Sequence, residues 1–355
     1  MSDSKTPASL GYRLPAEWEP HAATWLGWPH NRHTWPGKLE HIPPVWAELA
    51  RTLARAEPVH VLAGQGDVMQ ETRAMVGRLP NVTLHQIPTN DAWIRDHGPT
   101  FLAGPSDVPP ALVDWQYNAW GGKYPPFELD NLVPKRIAEA TGRRRFDAGI
   151  VLEGGAVDAN GRGTILAAEG CLTNANRNPG LSKGEIERYL ADYLGARHVV
   201  WLRGGIAGDD TDGHVDQLAR FVGPTRVLAA VEKGPADENY AVLKANHQRL
   251  ENATDQDGRS LEVIALPMPQ PIHRGRQRLP ASYVNFYIAN GLVVVPQFED
   301  PADREAMEIL AAVFSNREVC GLPAVDLVCG LGAYHCITLD EPAMALGIGA
   351  SSGQN

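Results

Sequence analysis

No run of this sequence approaches the roughly 18 consecutive apolar residues that a membrane span needs, so the chain is not expected to enter a membrane. The opening MSDSKTPASL lacks the basic and apolar regions of a secretory signal, which makes the cytoplasm the expected compartment. Cysteine is scarce. Only Cys171, Cys320, Cys329 and Cys336 are present in 355 residues, and no two of them form a CxxC pair. That excludes a disulfide framework and leaves reduced thiols as the expectation. Positive charge gathers only at Arg143–Arg145 and His273–Arg278 in a chain of net charge −10, which argues against a nucleic-acid binder. Missing too are a GxGxxG turn after a strand, a Walker A loop and an HExxH helix, so no cofactor and no metal are expected.

What is present is an alternation of short β-like runs and amphipathic helical segments from end to end, without a linker, in a chain long enough to bury a full core. Helical periodicity runs through Val45, Leu49 and Leu53 and through residues 67–79, 129–140, 182–194 and 301–314. Strands are expected at 59–63, 82–87, 111–117, 164–168, 198–202, 226–231, 261–266 and 325–329. Two β-rich arms over 283–295 flank Asn290-Gly291, the preferred centre of a type I′ hairpin turn. Several strand pairs followed by a helix suggest a repeated unit, although no fixed period is visible. Gly180-Leu-Ser182-Lys-Gly184 matches GxSxG but follows no strand, and Glu185 three residues on makes Ser182 a helix cap.

The segments rich in Gly, Trp, Asp and His fall between these periodic elements, where chemistry is usually mounted. In Gly330-Leu-Gly-Ala-Tyr-His335-Cys336 a glycine-bearing turn after the expected strand at 325–329 presents a cysteine. Cys320 and Cys329 sit among apolar residues as core thiols, and Cys171 is left undecided. Gly208-Asp-Asp210-Thr-Asp-Gly-His214-Val-Asp216 packs four acids and a histidine into nine residues, yet it fails as a calcium loop because glycine stands where the first acid is required. If 214–216 is extended, His214 and Asp216 share a face, which suits an acid/base and an anionic anchor. Asp91-Ala-Trp93-Ile-Arg-Asp96-His-Gly-Pro99 offers an aromatic and a carboxylate, unless Arg95 and Asp96 merely pair on the surface. Leu152-Glu153-Gly154-Gly155 ends a strand with a carboxylate before two glycines that allow close approach.

Two acids, an aromatic face, a histidine and a thiol suit one kind of target. A guanidinium is a planar cation whose carbon becomes electrophilic only when carboxylates hold its protons and its charge is relieved. Trp93 can cover that plane by cation–π stacking. A bound cation and an imidazolium would lower the thiol pKa of Cys336 and make it the nucleophile. His214 would protonate the departing ammonia and then activate water, with Glu153 orienting it.

Taken together, Glu17-Trp-Glu-Pro-His21, Trp93-Ile-Arg-Asp96-His-Gly-Pro99, Trp120-Gly-Gly122, Leu152-Glu-Gly-Gly155, Asn176-Arg-Asn-Pro179, Gly208-Asp-Asp210, Gly213-His-Val-Asp216, Ser282-Tyr-Val-Asn285-Phe-Tyr287 and His335-Cys-Ile-Thr338 resemble the agmatine deiminase and bacterial peptidylarginine deiminase family, from about Leu14 to Pro342. The resemblance implies the α/β five-bladed propeller (pentein) of the guanidino-group-modifying superfamily, with pseudo-fivefold ββαβ modules in a single catalytic domain over 1–355. It also implies Cys336 as nucleophile, His214 as acid/base, Asp96 and Asp216 as guanidinium clamps, and Glu153 as the carboxylate beside the histidine. Trp93, Trp120, Asp210 and Asn285 are implied substrate-side residues. The implied partner is a small cationic guanidino compound, with assembly into a homo-oligomer left open.

Three places depart from the family's agmatine enzymes: His97 stands where Thr or Ser is usual, Leu331-Gly-Ala-Tyr334 replaces Gly-Gly-Asn-Ile, and Leu339-Asp340 replaces glutamines. Substrate identity is therefore open between agmatine and a peptidylarginine or free-arginine type. A non-catalytic binder of cationic metabolites and a metal-dependent hydrolase are the readings from other classes. The tail at 347–355 is expected to be disordered.

Overall fold

A computed structural model describes residues 5–344, so the tail at 347–355 lies outside the described residues. Five of its sheets share one plan, in which a short strand runs antiparallel to a longer one and a helix then returns the chain to a parallel third strand. Thr100–Leu102, Ala111–Gln116 and Arg144–Val151 make one such sheet, with helix Val133–Thr141 as the crossover. The same order recurs with Val157–Ala159, Thr164–Ala168 and His198–Leu202, with Ala219–Phe221, Arg226–Val231 and Glu262–Pro267, and with Tyr287–Ala289, Leu292–Gln297 and Glu318–Pro323. In the remaining one, Thr338–Pro342 is the antiparallel partner of His21–Gly27, which pairs in parallel with Val59–Leu62 and through it with Val82–His85. The repeat suspected in the sequence is thus a ββαβ unit used five times, within a mixed α/β fold.

The physical basis is ordinary. The central strands are apolar on both faces: Thr164–Ala168 is buried at every position, as a strand covered on both sides must be. The helices bury one stripe each; Lys183–Leu194 buries Ile186, Leu190 and Leu194 and starts at Ser182 with the expected capping box to Glu185. The helix at 129–140 is displaced, with a 3₁₀ turn Asp130–Leu132 before Val133–Thr141.

Two local expectations are overturned. Residues 325–329 are not a strand. Glu318–Pro323 takes the sheet position, and the apolar run that follows is a 3₁₀ turn, Leu327–Gly330, buried against Trp35. Apolar content alone does not separate a buried turn from a buried strand. The hairpin at 287–297 forms, but only Gly291 of its two turn residues has positive φ, so the turn is not type I′. The Asn290 side chain is instead engaged with the backbone of His21 on the first sheet.

Candidate active site

Each unit is entered by a short helical turn or a loop just before its short first strand, and the chemically distinctive residues sit there. Trp93 and Asp96 precede Thr100–Leu102; Glu153 and Gly155 precede Val157–Ala159; His214 and Asp216 precede Ala219–Phe221; Asn285 precedes Tyr287–Ala289; Cys336 precedes Thr338–Pro342. The five turns converge. A Cβ on Gly155 would lie 2.5 Å from His214 Nδ1, 2.9 Å from Asp96 Oδ1 and 3.2 Å from Asp216 Oδ2, so this glycine leaves the space that the three side chains share.

Cys336 Sγ lies 3.6 Å from Asp216 Oδ2, and Asn285 donates to it from Nδ2 at 3.2 Å. Asn285 Oδ1 also accepts the amide of His335 at 3.1 Å, which fixes the backbone that carries the thiol. Burial pushes the Cys336 thiol well above its ordinary pKa, and the charges of Asp216 and Asp96 push it the same way. Asp216 itself is held below the usual carboxylate range: burial opposes ionisation, but the hydrogen bond and charge of His335, 2.7 Å away, outweigh it. Its Oδ1 has no hydrogen-bond partner among the described residues. A buried free acceptor of this kind suits an N–H donor arriving from the cavity.

Asp96 accepts from the Gly155 amide at 2.9 Å on one oxygen and from Trp120 Nε1 at 3.0 Å on the other. Burial raises its pKa, and Asp216 and Glu153 add to the rise. His214 stands 3.7 Å from Asp96 and 4.0 Å from Glu153 Oε2. Burial disfavours its imidazolium, yet Asp96, Asp216 and Glu153 together hold its pKa above the ordinary value. The expectation that 214–216 is one extended run holds only for His214. Val215–Gln217 is a 3₁₀ turn, which carries Asp216 across to Cys336 while His214 stays with Asp96.

A cavity of about 590 Å³ opens onto Cys336, His214 and Asp96, with Trp93, Trp120 and Asp210 in its wall. Asp216, Glu153 and Asn285 lie behind that surface rather than in it. Trp93 is stacked on Trp35 at 5.4 Å, and Asp210 sits at the mouth with Tyr124 and Lys123. Among the departures from the family pattern, Leu331 lines this cavity, whereas Tyr334 turns away to donate to the Pro323 carbonyl at 2.6 Å and His97 is buried edge-on against Tyr117. Arg95 and Asp96 are no surface pair: both are buried, and Arg95 serves Glu17 and Asp340 instead.

Several residues that carry the site were not assigned roles from the sequence. Glu17 collects His335 at 2.9 Å, Arg220 at 2.7 Å and Arg95 at 3.2 Å, and so anchors the back of the Asp216 pair. Arg177 donates Nε to Glu153 Oε1 at 2.6 Å, and the Cys171 thiol, undecided in the sequence, donates to Oε2 at 3.1 Å. Glu17, Arg177 and His335 stand inside the quoted motif blocks, which was the only signal available for them. Glu153, Cys171 and His214 bring ligand-type atoms within 4.8 Å of one another. A cation there would face the Arg177 guanidinium and a thiol whose pKa burial and Glu153 push well up, so the donor set is a poor fit for a metal.

A buried thiol, a histidine among carboxylates and the entry turns of a repeated ββαβ fold fit a guanidine-modifying hydrolase. Residues 13–342 match the Porphyromonas-type peptidyl-arginine deiminases, and the chain belongs to that family. The agmatine deiminase of Pseudomonas aeruginosa is 40% identical over 364 aligned residues, covering 96% of this chain and 98% of that protein. The fold is similar to that of the Enterococcus faecalis agmatine deiminase, with a TM-score of 0.92 at 34% identity over 96% of this chain and 98% of that one. A cysteine-to-serine variant of C. jejuni agmatine deiminase with substrate bound is also similar, with a TM-score of 0.86 at 28% identity over 94% and 97%. Among the described residues no helix is long and apolar enough to cross a membrane.

Proposed function

We propose that this protein hydrolyses agmatine to N-carbamoylputrescine and ammonia through an S-linked amidino intermediate on Cys336. The observation that carries this reading is the placement of Cys336, His214 and Asp96 around one cavity, with the unpartnered oxygen of Asp216 buried behind them. The relatives named for agmatine supply the substrate. In this reading the guanidinium is clamped by Asp96 and Asp216, Trp93 covers its plane, and Asp210 at the mouth faces the tail amine.

The thiol is neutral before substrate enters because burial, and then the charges of Asp216 and Asp96, disfavour its anion. Entry of a cation reverses that balance, so the Cys336 proton is released on binding and the thiolate attacks the guanidinium carbon. His214, whose proton affinity Asp96, Asp216 and Glu153 raise against the effect of burial, gives its proton to the departing nitrogen, and ammonia leaves with its bonding pair from carbon. The neutral His214 then takes a proton from water as the oxygen adds. The C–S bond breaks toward sulfur, and the hydroxyl proton is released as the urea product forms.

We also propose that the five units surround one axis as a five-bladed propeller and make a single catalytic domain. The convergence of their five entry turns supports it. The decisive experiment measures ammonia release from agmatine, free arginine and a blocked arginine peptide, with and without chelator. Chelator-resistant release from agmatine that Cys336→Ala abolishes is expected; undiminished release by Cys336→Ala would sink the mechanism.

A further inference from the structure

Glu153 is fully buried and does not close a hydrogen bond with His214: the two stand 4.0 Å apart, and His214 Nε2 has no hydrogen-bond partner among the described residues. Their separation must therefore be set from outside the pair. Arg177 is placed to set it. Its guanidinium is fully buried and spends four donor contacts on three segments. Nε holds Glu153 at 2.6 Å; one terminal nitrogen holds Asn176 Oδ1 at 2.7 Å and Asp212 Oδ2 at 2.6 Å; the other holds the Thr211 carbonyl at 2.9 Å.

Asp212 and Thr211 belong to the loop that delivers His214. The same cation thus grips the carboxylate on one side of the gap and the histidine's own loop on the other. Its grip extends further. Asn176 donates to Asp212 at 3.1 Å, and its backbone carbonyl accepts from Asn118, which caps the turn carrying Trp120 and hence Asp96. A planar fork with donors on three nitrogens can bridge these partners at once, whereas an ammonium cannot.

We propose that Arg177 is a positioning residue that fixes the gap between Glu153 and His214, and so governs the proton transfers of His214 rather than substrate binding. The inference rests on the hydrolase reading above. Because the hydrolytic half-reaction needs His214 as base, loosening the gap lets the S-linked intermediate persist.

The test compares wild type with Arg177→Gln, Arg177→Lys and Asp212→Asn, the last keeping a side chain that tolerates the positive φ of 68° at that position. In Arg177→Gln, kcat on agmatine is expected to fall roughly 100-fold and KM to fall with it, because slow hydrolysis of the intermediate lowers both and leaves kcat/KM nearly unchanged. Mass spectrometry of acid-quenched enzyme should show the adduct of substrate minus ammonia accumulating. Arg177→Lys should recover only part of the loss, and Asp212→Asn should show the same pattern in weaker form. Unchanged kcat in Arg177→Gln overturns the proposal. So does a lower kcat with a raised KM and no adduct, in both Arg177→Gln and the milder Asp212→Asn. If wild type releases ammonia from none of the three guanidines, the agmatine reading fails on its own. NMR titration of the His214 ring then decides the role of Arg177: a displaced midpoint in Arg177→Gln supports it, and an unmoved midpoint overturns it.

Discussion

The sulfur of Cys336, at the cavity floor, and the fully buried carboxylate of Asp216 lie 3.6 Å apart, where two negative charges are costly together. Asp216→Asn removes one of those charges and should lower the thiol pKa. Alkylation of Cys336 by iodoacetamide at pH 7.5 is expected to speed up roughly tenfold, about one unit of pKa, even as turnover is lost. The rate is followed by mass spectrometry of the Cys336 peptide; an unchanged rate would show that the carboxylate does not control the thiol.

Trp120 sits in a left-handed turn, φ 54° and ψ 46°, where a side chain this large is strained, and it spends its indole N–H on Asp96. Trp120→Phe keeps an aromatic ring and deletes the donor. A hydrogen bond to an ionised carboxylate contributes about 1.5 kcal/mol or more, so kcat/KM is expected to drop about tenfold. Steady-state kinetics give the answer directly, and a drop under about twofold would mean that the Gly155 amide suffices to hold Asp96.

Gly155→Ala places a methyl group 2.5 Å from His214 and 2.9 Å from Asp96. Both must move, and kcat should fall by roughly 100-fold, with overpacking destabilising the fold by about 1–3 kcal/mol. Parallel kinetics and urea unfolding separate the two effects. Wild-type kcat in this variant would mean the three side chains have slack that their spacing denies.

His21 lies buried between Glu57, 3.2 Å away, and the Glu17 carbonyl. Burial disfavours its charge, but the Glu57 hydrogen bond and nearby carboxylates outweigh this and raise its pKa from 6.5 to about 9. The folded state therefore binds the proton more tightly than the unfolded state. The stabilisation is complete below pH 6.5 and disappears as pH rises through 9, a difference of about 3 kcal/mol. Urea unfolding at pH 6, 7.5 and 9 should show this loss in wild type and not in His21→Gln. Identical slopes would mean that folding leaves the His21 pKa unshifted.

Legibility in the sequence followed the length of the signal. Residues 164–168, 198–202 and 226–231 are strands at the expected bounds because an apolar run of five or six covers the whole element. Thr100–Leu102, Val157–Ala159 and Ala219–Phe221 went unseen, since three residues cannot display an alternation. Helix Tyr240–Glu251 was also unseen: it buries only Leu243, Asn246 and Leu250 and leaves little periodic trace. At the site, residue chemistry pointed to Cys336, His214, Asp96 and Asp216, which the fold brings together. What stayed hidden was partnership. His335 and Glu17 are 318 residues apart, and no local pattern says that one will hold the other.

The pairing of Thr338–Pro342 with His21–Gly27 has a consequence for synthesis. A ribosome must deliver residue 342 before the first sheet gains its antiparallel strand, and Cys336 arrives on the segment leading into that strand. On the mechanism proposed above, the nascent chain until then holds its carboxylates and histidine without Cys336, so an unfinished copy cannot form the S-linked intermediate.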